Sequence, residues 1–132
     1  MPHVNESLEA AIARPRRSML YMPGANARAL EKAKTLPADS LILDLEDAVA
    51  PDAKAMARKQ VVEAVKGGGY GRRELVIRMN SLDTGWGHED VLALANAGAH
   101  AILIAKVESG EQVRHVEALL EEYRAPPDLA LM

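Results

Sequence analysis

Cysteine is absent from the 132 residues. That excludes a disulfide framework, a thiolate nucleophile and any zinc site built on sulfur, and it fits a reducing, cytoplasmic setting. Phenylalanine is absent too, and the aromatic set is one tryptophan and three tyrosines. A stacking platform for single-stranded nucleic acid needs more rings than that. Neither sign of charge dominates: 16 Lys and Arg face 19 Asp and Glu, for a formal net charge of −3. No field therefore steers the chain to nucleic acid or to an anionic membrane. No apolar run approaches the roughly 20 residues of a membrane-spanning helix. Glu6 and Glu9 interrupt the first residues, which argues against a secretory signal and a transit peptide.

What is present is 48% hydrophobic, supplied by Ala, Leu, Val, Ile and Met. That composition suits helices packed on β-branched strands, and the length suits one domain with one core. Residues 1–15 read as a short helix or loose tail, and residues 16–132 as the folded domain. Arg14, Arg16 and Arg17 form a basic run, read as a solvated segment before the first strand.

From there one unit repeats. The apolar run 18–22 stops at Pro23-Gly24, Asn26 is placed to cap a helix through Leu30, Ala33 and Lys34, and Pro37 punctuates its end. A second strand at 41–43 is followed by a helix that starts at Pro51-Asp52, carries Ala53, Met56, Val61, Val62 and Val65, and stops at Gly67-Gly68-Gly69. The glycine run follows a helix and precedes a strand, so it reads as a flexible C-terminal cap and not as a phosphate loop. The third strand spans 74–80, with Asp83-Thr84 as the next cap. The fourth spans 101–106, with Ser109 opening a helix faced by Val113, Val116, Leu119 and Leu120. Leu129 to Met132 looks like the start of a fifth strand.

Strands alternating with amphipathic helices predict right-handed βαβ units and a parallel sheet. The unit length matches a TIM (β/α)8 barrel, which takes about 250 residues. The expected fold is therefore α/β, with this chain supplying roughly the N-terminal half of such a barrel: four βα units plus the start of strand 5. A small open sheet is the alternative.

In a parallel barrel the C-terminal ends of all strands meet at one face. Asp44, Glu46 and Asp47 crowd the end of the second strand, where mutual repulsion is costly unless cations, a metal or amide donors compensate. Asp44 and Glu46 differ by two and share a side, which suits a hard divalent cation or the water bound to it; Asp47 points the other way. Arg78, flanked by Ile77 and Met79, places a guanidinium at the mouth, where it can hold a carboxylate in bidentate fashion or close a structural salt bridge. Lys106 either stabilises developing negative charge or neutralises Glu46 or Glu108. Lys54 and Arg58 meet a phosphate or pair with Asp47, the pairing being preferred. Trp86 lines the mouth or plugs a helix end. His3, His88, His100 and His115 lack ligand spacing and read as surface residues.

The runs Arg17-Ser-Met-Leu-Tyr-Met-Pro-Gly24, Leu43-Asp-Leu-Glu-Asp-Ala-Val49 with Pro51, Lys54 and Arg58, Val76-Ile-Arg-Met-Asn80 with Leu82-Asp83, and Ile102-Leu-Ile-Ala-Lys-Val-Glu108 resemble the citrate lyase β-subunit-like and malyl-CoA lyase group of CoA-ester lyases, within the HpcH/HpaI aldolase superfamily. The resemblance covers residues 16–108 in order. It implies a TIM barrel, a homotrimer or hexamer, Mg²⁺ as cofactor and CoA carried as part of an acyl-CoA substrate. By position, Arg78 would grip the substrate carboxylate and act with Lys106 in catalysis. Tyr21, Met22, Asn26 and Lys32 would lie along the CoA or thioester path, and Asp44 and Glu46 would bond metal-bound water. The implied reaction is C–C cleavage or formation in a citryl-, malyl- or citramalyl-CoA, giving acetyl-CoA and a keto acid.

Ala105 stands where that group usually has proline. Its direct metal carboxylates would come from beyond Met132, so the 132-residue piece is expected to be inactive by itself. A non-enzymatic α/β binding or scaffold domain is the alternative. Its receiver-like form would use Asp44 and Lys106, but it wants an acidic pair at the end of the first strand, where Tyr21-Met22-Pro23-Gly24 stands.

Overall fold

The computed structural model describes residues 14–132, so His3 and nearly all of the tail expected for residues 1–15 lie outside the described residues. The strands are β1 (Met19–Pro23), β2 (Ser40–Asp44), β3 (Glu74–Met79), β4 (Ala101–Ile104) and β5 (Ala130–Leu131). The helices are α1 (Ala27–Lys32, prolonged by the 3-10 turn Ala33–Thr35), α2 (Lys54–Gly67, entered through the 3-10 turn Pro51–Ala53), α3 (Gly87–Leu94) and α4 (Gly110–Glu122).

All the strand pairs are parallel, and the sheet order is β1-β2-β3-β4-β5. Each strand lies beside its predecessor, as barrel winding requires. A doubly wound sheet reverses its order at a switch point. The receiver-like architecture is thereby removed.

The two-residue strand period sorts the side chains. Leu41, Leu43, Leu75, Ile77, Met79, Ile102 and Ile104 face the helices and pack with Leu30, Val61, Val91, Leu94, Val116 and Leu119. Ile77 is fully buried there, and truncating such a residue costs about 2–5 kcal/mol. Ile42, Val76 and Ala101 form a second buried cluster with Met19 and Leu103 on the opposite face. The helices thus cover one side of the sheet, the outer side of a barrel wall.

Local expectations hold at some ends and move at others. Asn26 caps α1, its Oδ1 accepting from Ala29 N at 3.0 Å. The expected Asp83-Thr84 cap does not form. Thr84 Oγ1 donates to Ser81 O in a turn, and α3 starts only after Trp86. The glycine run does cap α2, with Gly68 at φ 70, but Tyr70 ties it down by donating to Leu30 O at 2.9 Å. The buried stripe of α2 is Lys54, Ala57, Val61 and Val65, and Met56 is exposed. Of the expected face, Val61 and Val65 are buried and Ala53 and Val62 pack against the core, so only Met56 departs, and Lys54 opens the stripe instead. The basic run is not simply solvated either: Arg16 pairs with Glu74 and Arg17 with Asp39. Among the described residues no helix is long and apolar enough to cross a membrane.

Candidate active site at the strand ends

Asp44 ends β2 directly opposite Arg78 of β3 in register, and both lie on the face turned away from the helices. Arg78 Nε and Nη2 donate to Asp44 Oδ1 and Oδ2, each at 2.8 Å. The same oxygens accept from the backbone N–H groups of Glu46 and Ala48, each at 2.9 Å. Burial alone pushes the Asp44 carboxyl up. The Arg78 fork and the two amides outweigh it and hold the group below the ordinary carboxylate range. The Arg78 pKa is raised in turn, chiefly by Asp44 against the opposing effect of burial. The Tyr21 ring lies 4.8 Å from the guanidinium carbon.

This pairing consumes one edge of the guanidinium. Of the other donors, Nη1 lies 3.9 Å from Glu46 Oε1, and Nη2 lies 3.9 Å from Asp47 Oδ2. Both separations exceed hydrogen-bond length. Glu46 Oε1 is buried without a hydrogen-bond partner. Glu46 Oε2 and Asp47 Oδ1 both accept from Lys106 Nζ, the second at 2.8 Å. Bonds to Asp47 and then Glu46 raise the Lys106 pKa, and Lys106 in turn lowers that of Asp47. Lys106 sits beyond the end of β4 at φ 52, a left-handed backbone that lysine rarely adopts.

Under the loop, Lys54 Nζ donates to Leu45 O at 3.1 Å and Glu46 O at 2.8 Å, and lies 5.1 Å from the centre of the Trp86 ring. Asn80 Nδ2 also donates to Leu45 O, at 2.9 Å, and to Asp90 Oδ2 at 2.7 Å. Gly24 N donates to Asp44 O at 2.8 Å, and a Cβ there would stand 2.6 Å from that oxygen. Only glycine lets the first loop close on the second strand.

The structure gathers Arg78, Lys106, Asp44, Glu46 and Tyr21 in one basin, and places Met22 on β1 and Asn26 and Lys32 at the two ends of α1. Met22 packs its side chain into the helix-side core, Asn26 is spent on capping α1, and Lys32 is exposed at the last residue of α1. Asp47 points into the basin and not away, because Lys106 draws it in. Lys54 and Arg58 do not pair with Asp47. Arg58 instead bonds Asp90 at 2.8 Å and Glu89 at 3.1 Å. Lys106 pairs with Glu46 and Asp47, not with Glu108. His88 and His115 are exposed, whereas His100 is half-buried and its Nδ1 accepts from Leu75 N. Sequence reasoning placed Asn80 at the strand end without its role and missed Asp90; the two brace the loop. Asp90 was legible only as a carboxylate on the apolar face of α3.

Asp44 has no capacity left for metal-bound water, since both oxygens are taken. Glu46 fits that role better: its orphan oxygen is an acceptor awaiting a donor. Among the described residues no group of three His, Cys, Asp or Glu side chains could hold a metal ion directly. The basin therefore fits a hydrated magnesium through one of its waters, not a bare ion.

The sequence profile described as HpcH/HpaI aldolase/citrate lyase matches residues 17–126. The chain belongs to the HpcH/HpaI aldolase/citrate lyase family. A (3S)-malyl-CoA thioesterase of Cereibacter sphaeroides is 48% identical over 110 residues, which is 83% of this chain and 39% of that protein. The citrate lyase subunit beta of Escherichia coli K12 is 38% identical over 114 residues, 86% of this chain and 38% of its own length. The fold matches that of Mycobacterium tuberculosis CitE in complex with magnesium, acetoacetate and coenzyme A. The TM-score is 0.65 and the identity 30%, over 86% of this chain and 38% of that one. This family member thus spans well under half the length of the relatives it matches.

Proposed function

We propose that this chain forms the carboxylate-anchoring part of an enzyme acting on a malyl-type hydroxyacyl-CoA, cleaving or forming the bond between its carbinol carbon and the methylene beside the thioester. One observation carries the reading: Asp44 fixes one edge of the Arg78 guanidinium and leaves the Nη1–Nη2 edge without a hydrogen-bond partner among the described residues. That edge takes the substrate carboxylate end-on, with the centre of the Tyr21 ring 4.8 Å from the guanidinium carbon. A fork held this way is oriented before substrate arrives, so little freedom is lost on binding.

Were magnesium bound, Glu46 would be the residue of the basin to hold one of its waters, having an oxygen without a donor. When bound, magnesium supplies Lewis-acid polarisation of the substrate oxygens. Lys106, kept protonated by Asp47 and Glu46, adds positive potential where negative charge develops. Among the described residues no group of three acidic or histidine side chains would ligate the ion directly, so the 132-residue chain is expected to bind the carboxylate without turnover. In the cleavage direction the hydroxyl loses its proton and becomes the keto carbonyl, while the electron pair passes to the acetyl-CoA enolate, which is then protonated.

The 48% identity to a malyl-CoA thioesterase favours a second outcome on the same anchor, attack of water on the thioester. In an enzyme completed with direct metal ligands, products separate the two: acetyl-CoA with glyoxylate for the lyase, free CoA with malate for the hydrolase. The anchor itself is tested by Arg78→Ala and Arg78→Lys. Both lose pyruvate binding, Lys included, because an ammonium cannot replace the fork. An unchanged affinity in Arg78→Ala overturns the proposal.

A further inference from the structure

Lys54 is a lysine in an unusual place. It is the first residue of α2, at the helix end where the macrodipole disfavours a cation, and it is buried, at 7% exposure. No carboxylate lies within ion-pair distance of it among the described residues. Its ammonium has three donors and meets three acceptors: Leu45 O, Glu46 O and the face of Trp86. A buried cation without a counter-ion, at the wrong end of a helix, is a poor choice for stability alone.

We propose that Lys54 is a positioning residue for the carboxylate site. It clamps two successive carbonyls of the acidic loop and supplies the positive charge that this loop lacks. The clamp works through backbone. Asp44 is held by the N–H groups of Glu46 and Ala48, so the path of the chain from 45 to 48 sets the angle of the Asp44–Arg78 fork. Lys54 and Asn80 converge on Leu45 O, and Glu46 O accepts from Lys54 and from Val49 N at 3.1 Å.

The charge matters as well. Asp44, Glu46 and Asp47 outnumber their direct partners Arg78 and Lys106 by one, and Lys54 restores neutrality. An incoming carboxylate then meets a basin without net negative charge. This inference rests on the reading of the Arg78 edge as a carboxylate site, but the clamp can be tested apart from it.

The test uses the full chain with Lys54→Met, which keeps the packing, and Lys54→Arg, which keeps the charge. Hydrogen exchange at the amides of Glu46 and Ala48 accelerates about tenfold or more in Lys54→Met, while Ile77 and Ile102 exchange as before. Lys54→Arg restores most of the protection. Equal acceleration at Ile77 and Ile102 would make Lys54 a stabiliser of the whole fold and overturn the proposal, as would unchanged exchange at Glu46 and Ala48. In parallel, pyruvate affinity falls about tenfold in Lys54→Met and recovers in Lys54→Arg. If pyruvate fails to bind the wild type, or binds Arg78→Ala equally well, the functional reading fails and the exchange result still decides the clamp. Trp86, the sole tryptophan, gives a third readout: its emission shifts in Lys54→Met, and an unshifted spectrum removes the ammonium from the ring.

Discussion

At the N-terminal end of the sheet, Glu74 is gripped by Arg16 through Nε at 2.8 Å and Nη2 at 2.6 Å, and Ser40 Oγ adds a third bond at 2.7 Å. At the C-terminal end, Asp44 is gripped by Arg78 through the same two nitrogens. Ser40, Ile42 and Asp44 follow one another along one face of β2, and Glu74, Val76 and Arg78 along the same face of β3. An apolar layer of Ile42 and Val76 thus separates two carboxylate–guanidinium pairs. The lower pair carries more cation than acid among the described residues, since Arg14 also helps hold the Glu74 carboxyl down. The upper pair is surrounded by Glu46, Asp47 and Lys106, with one carboxylate oxygen orphaned and one guanidinium edge idle. A carboxylate whose oxygens and charge are satisfied belongs to stability. Unmatched groups at a strand end belong to binding, because the missing partner is a ligand.

The comparison is broken most directly at Arg78. Arg78→Ala strands Asp44, which is 1% exposed, and should cost about 3 kcal/mol of stability by urea titration. It also abolishes pyruvate binding by calorimetry. Retained binding would place the upper pair in the same class as the lower. Glu74→Ala should cost about 2 kcal/mol, since Ser40 Oγ loses its acceptor, and leave pyruvate affinity untouched. A clear fall in affinity would erase the division between the ends. Glu46→Gln relieves like-charge crowding, so stability should move by less than about 0.5 kcal/mol. Magnesium-dependent pyruvate binding should nevertheless weaken about tenfold.

Acid sharpens the same contrast. Asp44 and Glu74 both have lowered carboxyl pKa values: Asp44 because the Arg78 fork and two amides overcome the upward push of burial, Glu74 chiefly through Arg16. Groups depressed on folding contribute stability that is complete above their unfolded pKa, about 4, and is lost as pH falls through the folded value. The urea midpoint of the wild type should therefore drop below about pH 4, and less steeply in Arg78→Ala and in Glu74→Ala. An identical acid limb in all three would show that neither pair carries it. The smallest effect is Tyr21→Leu, which removes the ring from Arg78 and should weaken carboxylate binding by about 0.5–1 kcal/mol, with unchanged stability.

Much of the fold was legible because its signals are local. Proline and glycine at 23–24, Pro51 at a helix start and the glycines after 67 punctuate units whose strands are too apolar to lie anywhere but inside. The boundaries that moved are those where a polar side chain made an unforeseen bond, as Thr84 did with Ser81. The crowding of Asp44, Glu46 and Asp47 marked the basin for the same local reason. The direction of Met22 was not legible, because strand phase decides whether residue 22 faces the helices or the mouth.

Sequence by itself determined the order of strands and helices, the family and the group of charges that meets at the strand ends, since apolar period and strand-end position are properties of neighbouring residues. Tertiary structure alone decided the pairing. Arg58 went to Asp90, Lys106 to Glu46 and Asp47, Arg16 to Glu74 and Lys54 to two carbonyls and a ring. Which partner a charge finds depends on distances between residues far apart in the chain, and those are fixed only when the parallel strands settle into register.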